Sequence, residues 1–160
     1  MLISRMKPNE CAELVSRAGF GRLGCARDGQ PYIVPIYFAY EQDCLYGFAT
    51  FGRKVEWMRS NPSVCVQADE IYAPDDWASV VLLGHYEELP DDAAHAGRRK
   101  QAQSLLEKRS SWWQAGYVAA QVRGRPNPPM PVLYCIRVQE MSGLRAAPGE
   151  SDNSQIFWEE

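Results

Sequence analysis

Short runs rich in β-branched and aromatic residues, separated by tight turns, are the feature that most limits the fold of this chain. Six segments have this character: 22–26, 32–40, 44–50, 63–68, 77–89 and 133–138. Asp28-Gly29 and Glu41-Gln42-Asp43 are the turns between the first three. Asp-Gly between two apolar runs is typical of a β-hairpin, and strands joined by such short turns are antiparallel. The sequence therefore predicts six strands that pair mainly in antiparallel fashion.

Closure of this sheet is expected, because a twisted sheet of many short strands otherwise leaves unpaired edges. We therefore expect a mainly β (α+β) protein, a small and partly open β-barrel with helices outside it. An apolar stripe predicts a first helix that starts near Asn9 and ends at Gly19. A short helix is predicted from Gly52 to Asn61-Pro62, and a polar one from Pro90 to about Arg109.

Two residues inside the predicted strands indicate local irregularities. Pro35 lacks an N–H group, so it is expected at a sheet edge or a bulge. Gly84 is a predicted bulge in the fifth strand.

Composition bounds the class of protein. The chain has 160 residues, of which 46% are hydrophobic and 23% charged, which fits one globular domain over 1–160. Its net charge of -3 disfavours a nucleic-acid partner. No apolar stretch approaches the ~20 residues that span a bilayer, and the N-terminus lacks the apolar core of a signal peptide. We therefore expect a cytoplasmic protein without membrane contact.

The cysteines and histidines predict no metal site. Five cysteines are present without a C-x-x-C pair, and there are two histidines, His85 and His95. An odd number of cysteines at this spacing fits neither a disulfide framework nor a zinc site, so reduced and mostly buried thiols are expected. His85 is expected to be a structural or exposed strand residue.

The segment from Thr50 to Lys54 is the strongest chemical signal. It ends a predicted strand and begins a predicted helix, and it contains Gly52, Arg53 and Lys54. A helix N-terminus offers free N–H groups and the positive end of the helix dipole, which suits a phosphate. Two cations are unfavourable beside that dipole unless an anion lies between them. This segment therefore predicts a phosphate site, and a flat cofactor with a phosphate tail would suit the aromatic-rich β surface nearby.

Four segments together resemble a known family. They are PYIVPIYFAY (31–40), LYGFATFGRKVEWMRSNPSVCVQAD (45–69), WASVVLLGHYEEL (77–89) and LYCIRVQEMSGLRA (133–146). They resemble the FMN-binding split β-barrel flavoproteins related to pyridoxamine 5'-phosphate oxidase, in the branch that includes nitroimidazole-resistance reductases. The resemblance covers about 8–145 and leaves 146–160 as a polar tail. It implies a six-stranded split barrel and a homodimer with FMN in clefts between the subunits.

The resemblance also implies site residues. Arg53 and Lys54 match the pair that holds the FMN phosphate, with the Thr50 hydroxyl nearby. The remaining matched positions are Val34, Pro35 and Ile36, on the strand whose backbone lies against the flavin ring, and Trp77, Ser79 and Val80. Family members often carry a histidine where this chain has Gly47-Phe48-Ala49, so histidine-dependent chemistry is not expected.

The function implied is that of an FMN-dependent oxidoreductase, which moves hydride or electrons between a nicotinamide and a small-molecule acceptor. No catalytic acid or base is identified, since the flavin would supply the electron chemistry. Alternatives are a flavin-binding or dimeric interaction module without turnover, or the same barrel with haem or a deazaflavin. Trp112 and Trp113 would pack in the barrel or dimer seam, or form a wall of the cofactor cleft.

Overall fold

A computed structural model of the chain describes residues 1–109 and 131–149, which form seven strands and three helices. The strands are β1 (Leu2–Arg5), β2 (Phe20–Arg27), β3 (Gln30–Glu41), β4 (Cys44–Thr50), β5 (Ser63–Ala73), β6 (Asp76–Glu88) and β7 (Pro131–Ala147). The helices are α1 (Pro8–Ala18), α2 (Arg53–Ser60) and α3 (Ala96–Glu107). Trp112, Trp113 and most of the predicted C-terminal tail lie outside the described residues.

All pairings are antiparallel, and the sheet closes on itself. The strand order is β1-β7-β4-β3-β2-β5-β6, and β6 also pairs with β7. Six strands from β2 to β7 thus form a barrel, and β1 extends it by pairing with Leu144–Ala147 of β7. The predicted six-stranded barrel is confirmed. The extra strand β1 was not predicted, because all four of its side chains are exposed and show no alternation.

The predicted turns and one helix end have the required backbone geometry. Asp28 and Gly29 have φ values of 52° and 77°, and Gln42 and Asp43 have 50° and 58°. Such left-handed pairs suit the twist of two-residue hairpins. Gly19 ends α1 with φ 60°, a conformation that glycine adopts without strain.

Several element boundaries differ from the predicted ones. β7 runs for 17 residues rather than over 133–138, because it pairs with β6 from Tyr134 to Ala146. α3 begins at Ala96 and not at Pro90, since residues 91–95 form bends and a turn before it. α1 begins at Pro8 after Lys7 rather than after Asn9, as proline is well suited to the first helical position.

The barrel interior is the main core, and each strand supplies every second side chain to it. Along β6, Ala78, Val80 and Leu82 are buried while Val81 and Leu83 are exposed on the outer face. α3 covers a second and smaller core outside the barrel, which includes Cys135. This alternation decides which residues can meet a ligand on the outer face of the barrel.

The barrel is split between β3 and β4. β2 pairs with residues 30–37 of β3, whereas β4 pairs only with residues 38–41. No described strand therefore covers the other edge of β3 at 30–37. The Phe38 N–H donates to the Gly19 carbonyl, so by alternation the nitrogen of Pro35 faces this open edge. The edge position predicted for Pro35 is confirmed.

The pairing of β6 with β7 has a register shift between Leu83 and Gly84, but its extra residue is Gln139 of β7, and β6 pairs regularly with β5 at the same positions. The bulge therefore lies opposite Gly84, in β7, and not in β6 as predicted. Within the described residues, no helix is long and apolar enough to cross a membrane.

Candidate functional site

The first turn of α2 follows the end of β4 after two residues, beside the split in the barrel. Gly52 precedes the helix in an extended conformation, and no side chain caps the helix N-terminus. The first helical N–H groups have no acceptor inside a helix, so they face outward with the positive end of the dipole. Arg53 and Lys54 are the first two residues of this turn.

Other charges on α2 are neutralised within the protein. Glu56 accepts a 2.6 Å hydrogen bond from Arg27, and Arg59 forms a 2.5 Å ion pair with Glu88. Neither Arg53 nor Lys54 has a carboxylate partner among the residues described. The two cations that sequence reasoning singled out are therefore the uncompensated ones on this helix.

Lys54 is half-buried, and its burial lowers the pKa of its ammonium group, an effect that the nearby Cys25 thiol partly offsets. Arg53 is exposed, and its guanidinium lies 5.4 Å from the centre of the Tyr32 ring. Tyr32 in turn contacts Trp57 of α2, with ring centres 5.5 Å apart. A half-buried cation without a counter-ion is unfavourable, so this position suits an anionic ligand.

A groove of about 730 Å³ lies on the barrel surface beside this pair. Tyr32, which is under Arg53, and Cys25, which is near Lys54, both line it. The other lining residues are Gly24, Ala26, Pro31, Ile33, Ser63, Val64, Cys65, Leu83 and Gln139. Its walls are mainly apolar, so the site combines an apolar surface for a flat ring with two cations at one margin.

The three matched residues of β3 point in different directions. The side chains of Val34 and Ile36 pack in the barrel core, whereas Pro35 is exposed. A ligand at the open edge of β3 would therefore meet the backbone of these residues rather than the side chains of Val34 and Ile36. This placement agrees with the backbone role that the resemblance implies.

Two of the matched residues of β6, Trp77 and Ser79, lie elsewhere on the outer face. Trp77 and Ser79 line a second groove of about 510 Å³, together with Arg5, Val81, Ser142, Gly143 and Leu144. Ser79 Oγ accepts a 3.0 Å hydrogen bond from Gln67 Nε2. Val80 is fully buried in the core, so only its backbone can reach a surface ligand. The two grooves share no lining residue, so Trp77 and Ser79 are separated from the groove that lies beside Arg53 and Lys54.

Comparison with known proteins decides the family. A family model described as pyridoxamine 5'-phosphate oxidase matches residues 7–145. The chain belongs to the pyridoxamine 5'-phosphate oxidase family. An uncharacterised protein of Rhizobium meliloti (strain 1021) is 39% identical over 150 residues, which is 94% of this chain and 99% of that protein.

Solved structures of this family have the same fold. A structure described as a FAD-binding protein from Mesorhizobium loti is 42% identical, with a TM-score of 0.76 over 92% of this chain and 100% of that one. A candidate 5-nitroimidazole antibiotic resistance protein from Bacteroides thetaiotaomicron is 20% identical, with a TM-score of 0.63 over 90% and 89% of the two chains. The second likeness concerns the fold alone.

Gly47 opens the segment Gly47-Phe48-Ala49, in which the resemblance implies a histidine that this chain lacks, and the structure explains why a residue larger than glycine does not fit at Gly47 itself. A Cβ atom at Gly47 would lie 2.4 Å from the Tyr134 ring and hydroxyl, which fill that space. His85 is exposed on β6, and His95 is held by Asp92 at 2.7 Å. The described residues contain no cluster of three or more side chains suited to a metal ion.

None of the residues that line the first groove was among the predicted site residues, and the two of them that lie against the basic pair are Tyr32 and Cys25. Tyr32 lies inside the segment that carries the family resemblance, and its aromatic ring could have been identified there as a partner for Arg53. Cys25 gave no such signal, because only the tertiary structure brings β2 close to Lys54.

Proposed function

We propose that this chain is a flavin-dependent oxidoreductase that transfers hydride or electrons between a nicotinamide and a small acceptor. Membership of the pyridoxamine 5'-phosphate oxidase family and the description of the Mesorhizobium loti protein as FAD-binding support the flavin. The flavin would supply the electron chemistry, and the protein would supply binding and orientation.

The observation that carries the proposal is the basic pair at the start of α2. Lys54 is half-buried without a carboxylate partner among the described residues, and Arg53 beside it is equally uncompensated. A phosphate group between them would restore charge balance, and free N–H groups of the first helical turn would add hydrogen bonds. Lys54 would act as a point charge and Arg53 as a bidentate donor.

The apolar groove beside this pair fits the ring of the same ligand. Tyr32 and Ile33 offer flat or apolar contact surface, and the open edge of β3 near Pro35 offers backbone groups that no described strand pairs with on that side. By alternation the Ile33 N–H faces this edge, whereas Pro31 and Pro35 have no N–H group to donate. A hydrogen bond from the Ile33 N–H would favour the reduced, negatively charged ring. The chain would in this way tune the flavin without a dedicated acid or base.

FMN is the flavin that we propose, because a single phosphate accounts for the paired cations at α2. FAD carries the same phosphate within its diphosphate group, so the Arg53–Lys54 contact alone suits either flavin. Heat release of the bound cofactor followed by mass spectrometry identifies which of the two is present. Exposed apolar residues on the outer face, Ile33 and Leu83 among them, favour a homodimer that would close the cofactor cleft.

Flavin retention tests the phosphate contact. Charge-assisted contacts of this kind contribute about 1.5–3 kcal/mol each, so Arg53→Ala combined with Lys54→Ala should weaken flavin binding at least about a hundredfold. Titration of apoprotein with FMN, followed by flavin fluorescence, measures the affinity. Arg59→Ala is the matched control, since this arginine of the same helix already has Glu88 as its partner.

The control variant should retain flavin affinity close to that of the unaltered protein. Equal affinity of the double variant and the unaltered protein would exclude the phosphate site at α2. Steady-state oxidation of NADH or NADPH by flavin-loaded protein, with quinone and nitroaromatic acceptors, then tests the oxidoreductase activity. Flavin binding without any turnover would instead support a flavin-binding module.

A further inference from the structure

We propose that Cys44 and Cys135 are a site of reversible oxidation, in which a hydroperoxide oxidises the Cys44 thiol and a disulfide with Cys135 then forms. The two thiols lie between β4 and β7, in the smaller core that α3 covers outside the barrel. Neither residue lines either groove. The exposed apolar residues of the outer face are not part of this core. The proposal is therefore independent of the flavin site and of the expected dimer.

The strand register places the two cysteines on one face. In the pairing of β4 with β7, Cys44 lies opposite Arg137, and Tyr46 lies opposite Cys135. Because side chains two residues apart on a strand share a face, Cys44 and Cys135 are diagonal neighbours on the side that α3 covers. The Cys44 side chain forms a hydrogen bond with Cys135 and another with Tyr46. The two sulfur atoms are therefore in contact in the folded protein.

Backbone pairing brings this diagonal close together. The Val138 N–H donates to the Asp43 carbonyl over 2.8 Å. Hydrogen-bonded and non-hydrogen-bonded rows alternate, so the next row, with Cys44 and Arg137, is a non-hydrogen-bonded one, in which the strands approach more closely. Cα atoms of diagonal neighbours are about 7–8 Å apart, slightly more than the roughly 4.4–6.8 Å of a disulfide. Cys44 is the first residue of β4 and follows a turn, so a small shift of its backbone can close this gap.

Burial assigns different roles to the two thiols. Cys44 and Cys65 are half-buried, whereas the other three cysteines are buried. Burial of Cys135 is complete and, together with the adjacent Cys44 thiol, raises the pKa of Cys135 to about 12. Oxidation by a peroxide requires an accessible thiolate, so Cys135 is protected from an oxidant in solution. Cys44 is therefore oxidised first, and Cys135 reacts with the oxidised Cys44 beside it.

Arg98 of α3 is the cation at this pair. Its Nη2 donates to Cys135 Sγ over 3.3 Å, and its charge also acts on the Cys44 sulfur. Glu87 accepts from the same guanidinium at 2.7 Å and holds it in place. A guanidinium beside a thiol favours the thiolate form, which is the nucleophile in both steps. Arg98 would thus stabilise the negative charge on each sulfur as that sulfur reacts.

The two steps balance with hydrogen peroxide as the oxidant. The Cys44 sulfur attacks one peroxide oxygen, the O–O bond breaks, and the departing hydroxide takes the thiol proton, which leaves a sulfenic acid and water. The Cys135 sulfur then attacks the Cys44 sulfur, the S–O bond breaks, and the departing hydroxide takes the Cys135 proton as a second water. The two thiols together lose two electrons, which one peroxide molecule accepts. A thiol reductant such as dithiothreitol reverses the change.

Peptide mapping of the full chain, reduced and then treated with hydrogen peroxide, tests the proposal. After free thiols are blocked with N-ethylmaleimide, mass spectrometry without reduction identifies which peptides are joined. We expect one disulfide within a single chain, between the peptides that carry Cys44 and Cys135. Cys65 is the internal comparison, because it is also half-buried but lies opposite Gly24 and Leu83, without a cysteine at either position. Cys44 should be consumed at least about tenfold faster than Cys65.

Substitutions separate the roles of the two thiols and the arginine. Cys135→Ala removes the second thiol and keeps an apolar side chain in the core. The Cys44 sulfenic acid should then accumulate and react with dimedone at least about tenfold more than in the unaltered protein. Cys44→Ser should leave Cys135 reduced. Arg98→Gln should slow formation of the disulfide at least about fivefold. The control Lys100→Gln removes an exposed charge of the same helix and should leave the rate unchanged.

Three results would overturn the proposal. They are peroxide-treated protein in which Cys44 and Cys135 remain unlinked, disulfides that join two chains instead of lying within one, and oxidation of Cys65 as fast as that of Cys44. Equal dimedone labelling of Cys135→Ala and the unaltered protein would contradict the role of Cys135. Mapping of the unaltered protein needs no variant, so a substitution that impairs folding leaves this test intact.

Discussion

Tyr134 carries the one buried side-chain polar atom, among the described residues, that has no hydrogen-bond partner. Its ring fills the space beside Gly47 and packs against Tyr86, with ring centres 5.5 Å apart. Burial raises the pKa of the Tyr134 hydroxyl, so the group stays neutral. The ring therefore contributes packing, whereas the hydroxyl contributes an uncompensated loss of solvation.

Replacing this tyrosine separates the two contributions. Tyr134→Phe keeps the ring and removes the unpartnered hydroxyl, so we expect the free energy of unfolding to rise by about 1 kcal/mol. Tyr86→Phe is the control, because the Tyr86 hydroxyl donates a 2.9 Å hydrogen bond to Glu88 and its loss should destabilise the protein by about 1 kcal/mol. Urea denaturation measures both. Equal destabilisation by the two variants would show that the Tyr134 hydroxyl has a partner.

At the scale of elements, the end of β6 holds two helices against the barrel. Glu87 accepts from Arg98 of α3 at 2.7 Å and from Arg137 of β7 at 2.9 Å, and Glu88 pairs with Arg59 of α2 at 2.5 Å. Hydrogen bonds from these arginines hold the pKa of each carboxyl group below its usual value. Two adjacent carboxylates thus join three elements to one strand end.

This arrangement predicts a dependence of stability on pH. Because the folded-state pKa of each carboxyl group is lowered, its contribution is complete above the unfolded pKa of about 4.3 and is lost as the pH falls through the folded value. The side chains are partly exposed, so each carboxylate contributes no more than about 1 kcal/mol. Thermal unfolding at pH 7 and pH 3 should show a smaller acid-induced loss for Glu87→Gln combined with Glu88→Gln.

Glu140→Gln is the control for this pH series. Glu140 is an exposed residue of β7 and has no ion-pair partner within the described part of the chain. Its substitution should leave the pH dependence of unfolding unchanged. If the double variant loses as much stability between pH 7 and pH 3 as the unaltered protein, the carboxylates at the end of β6 do not stabilise the fold.

At the scale of the whole molecule, closure of the barrel leaves a surface that favours association. Pairing of β6 with β7 removes the sheet edges that a flat sheet would expose. The outer face nevertheless carries exposed apolar side chains, which are Ile3, Ile33, Ile71, Val81, Leu83 and Leu144. Apolar residues that share one face are typical of a surface that another chain covers.

A homodimer is therefore the expected state in solution. Light scattering after size-exclusion chromatography should give twice the chain mass of 18.1 kDa. Ile33→Glu combined with Leu83→Glu places two charges on this face and should shift the mass towards that of one chain. Lys100→Glu on the exposed side of α3 should leave the dimer intact. A monomeric unaltered protein would contradict both the dimer and a cofactor cleft between subunits.

The sequence by itself determined most local structure. Asp28-Gly29 requires left-handed conformations that glycine adopts readily and aspartate tolerates, so the first hairpin could be predicted from residue types alone. Gln42 and Asp43 have the same conformations although glutamine does not favour them, and this turn is predicted from the polar break between two apolar runs. The start of α2 and its basic pair could also be predicted, because a helix start is determined by residues that are close together in the sequence. The many short strands predicted closure into a small barrel, and the family resemblance added its six-stranded split form and the flavin.

Only the tertiary structure decided which residues meet across the sheet. β7 continues to Ala147 because β6 pairs with it, and four exposed residues at 2–5 become β1 because β7 offers them an edge. The same pairing separates Trp77 and Ser79 from Arg53 and Lys54, and places them in one groove with Arg5 of β1 instead. Such contacts depend on register between strands far apart in the chain, and the alternation of side chains within one strand carries no information about its partner.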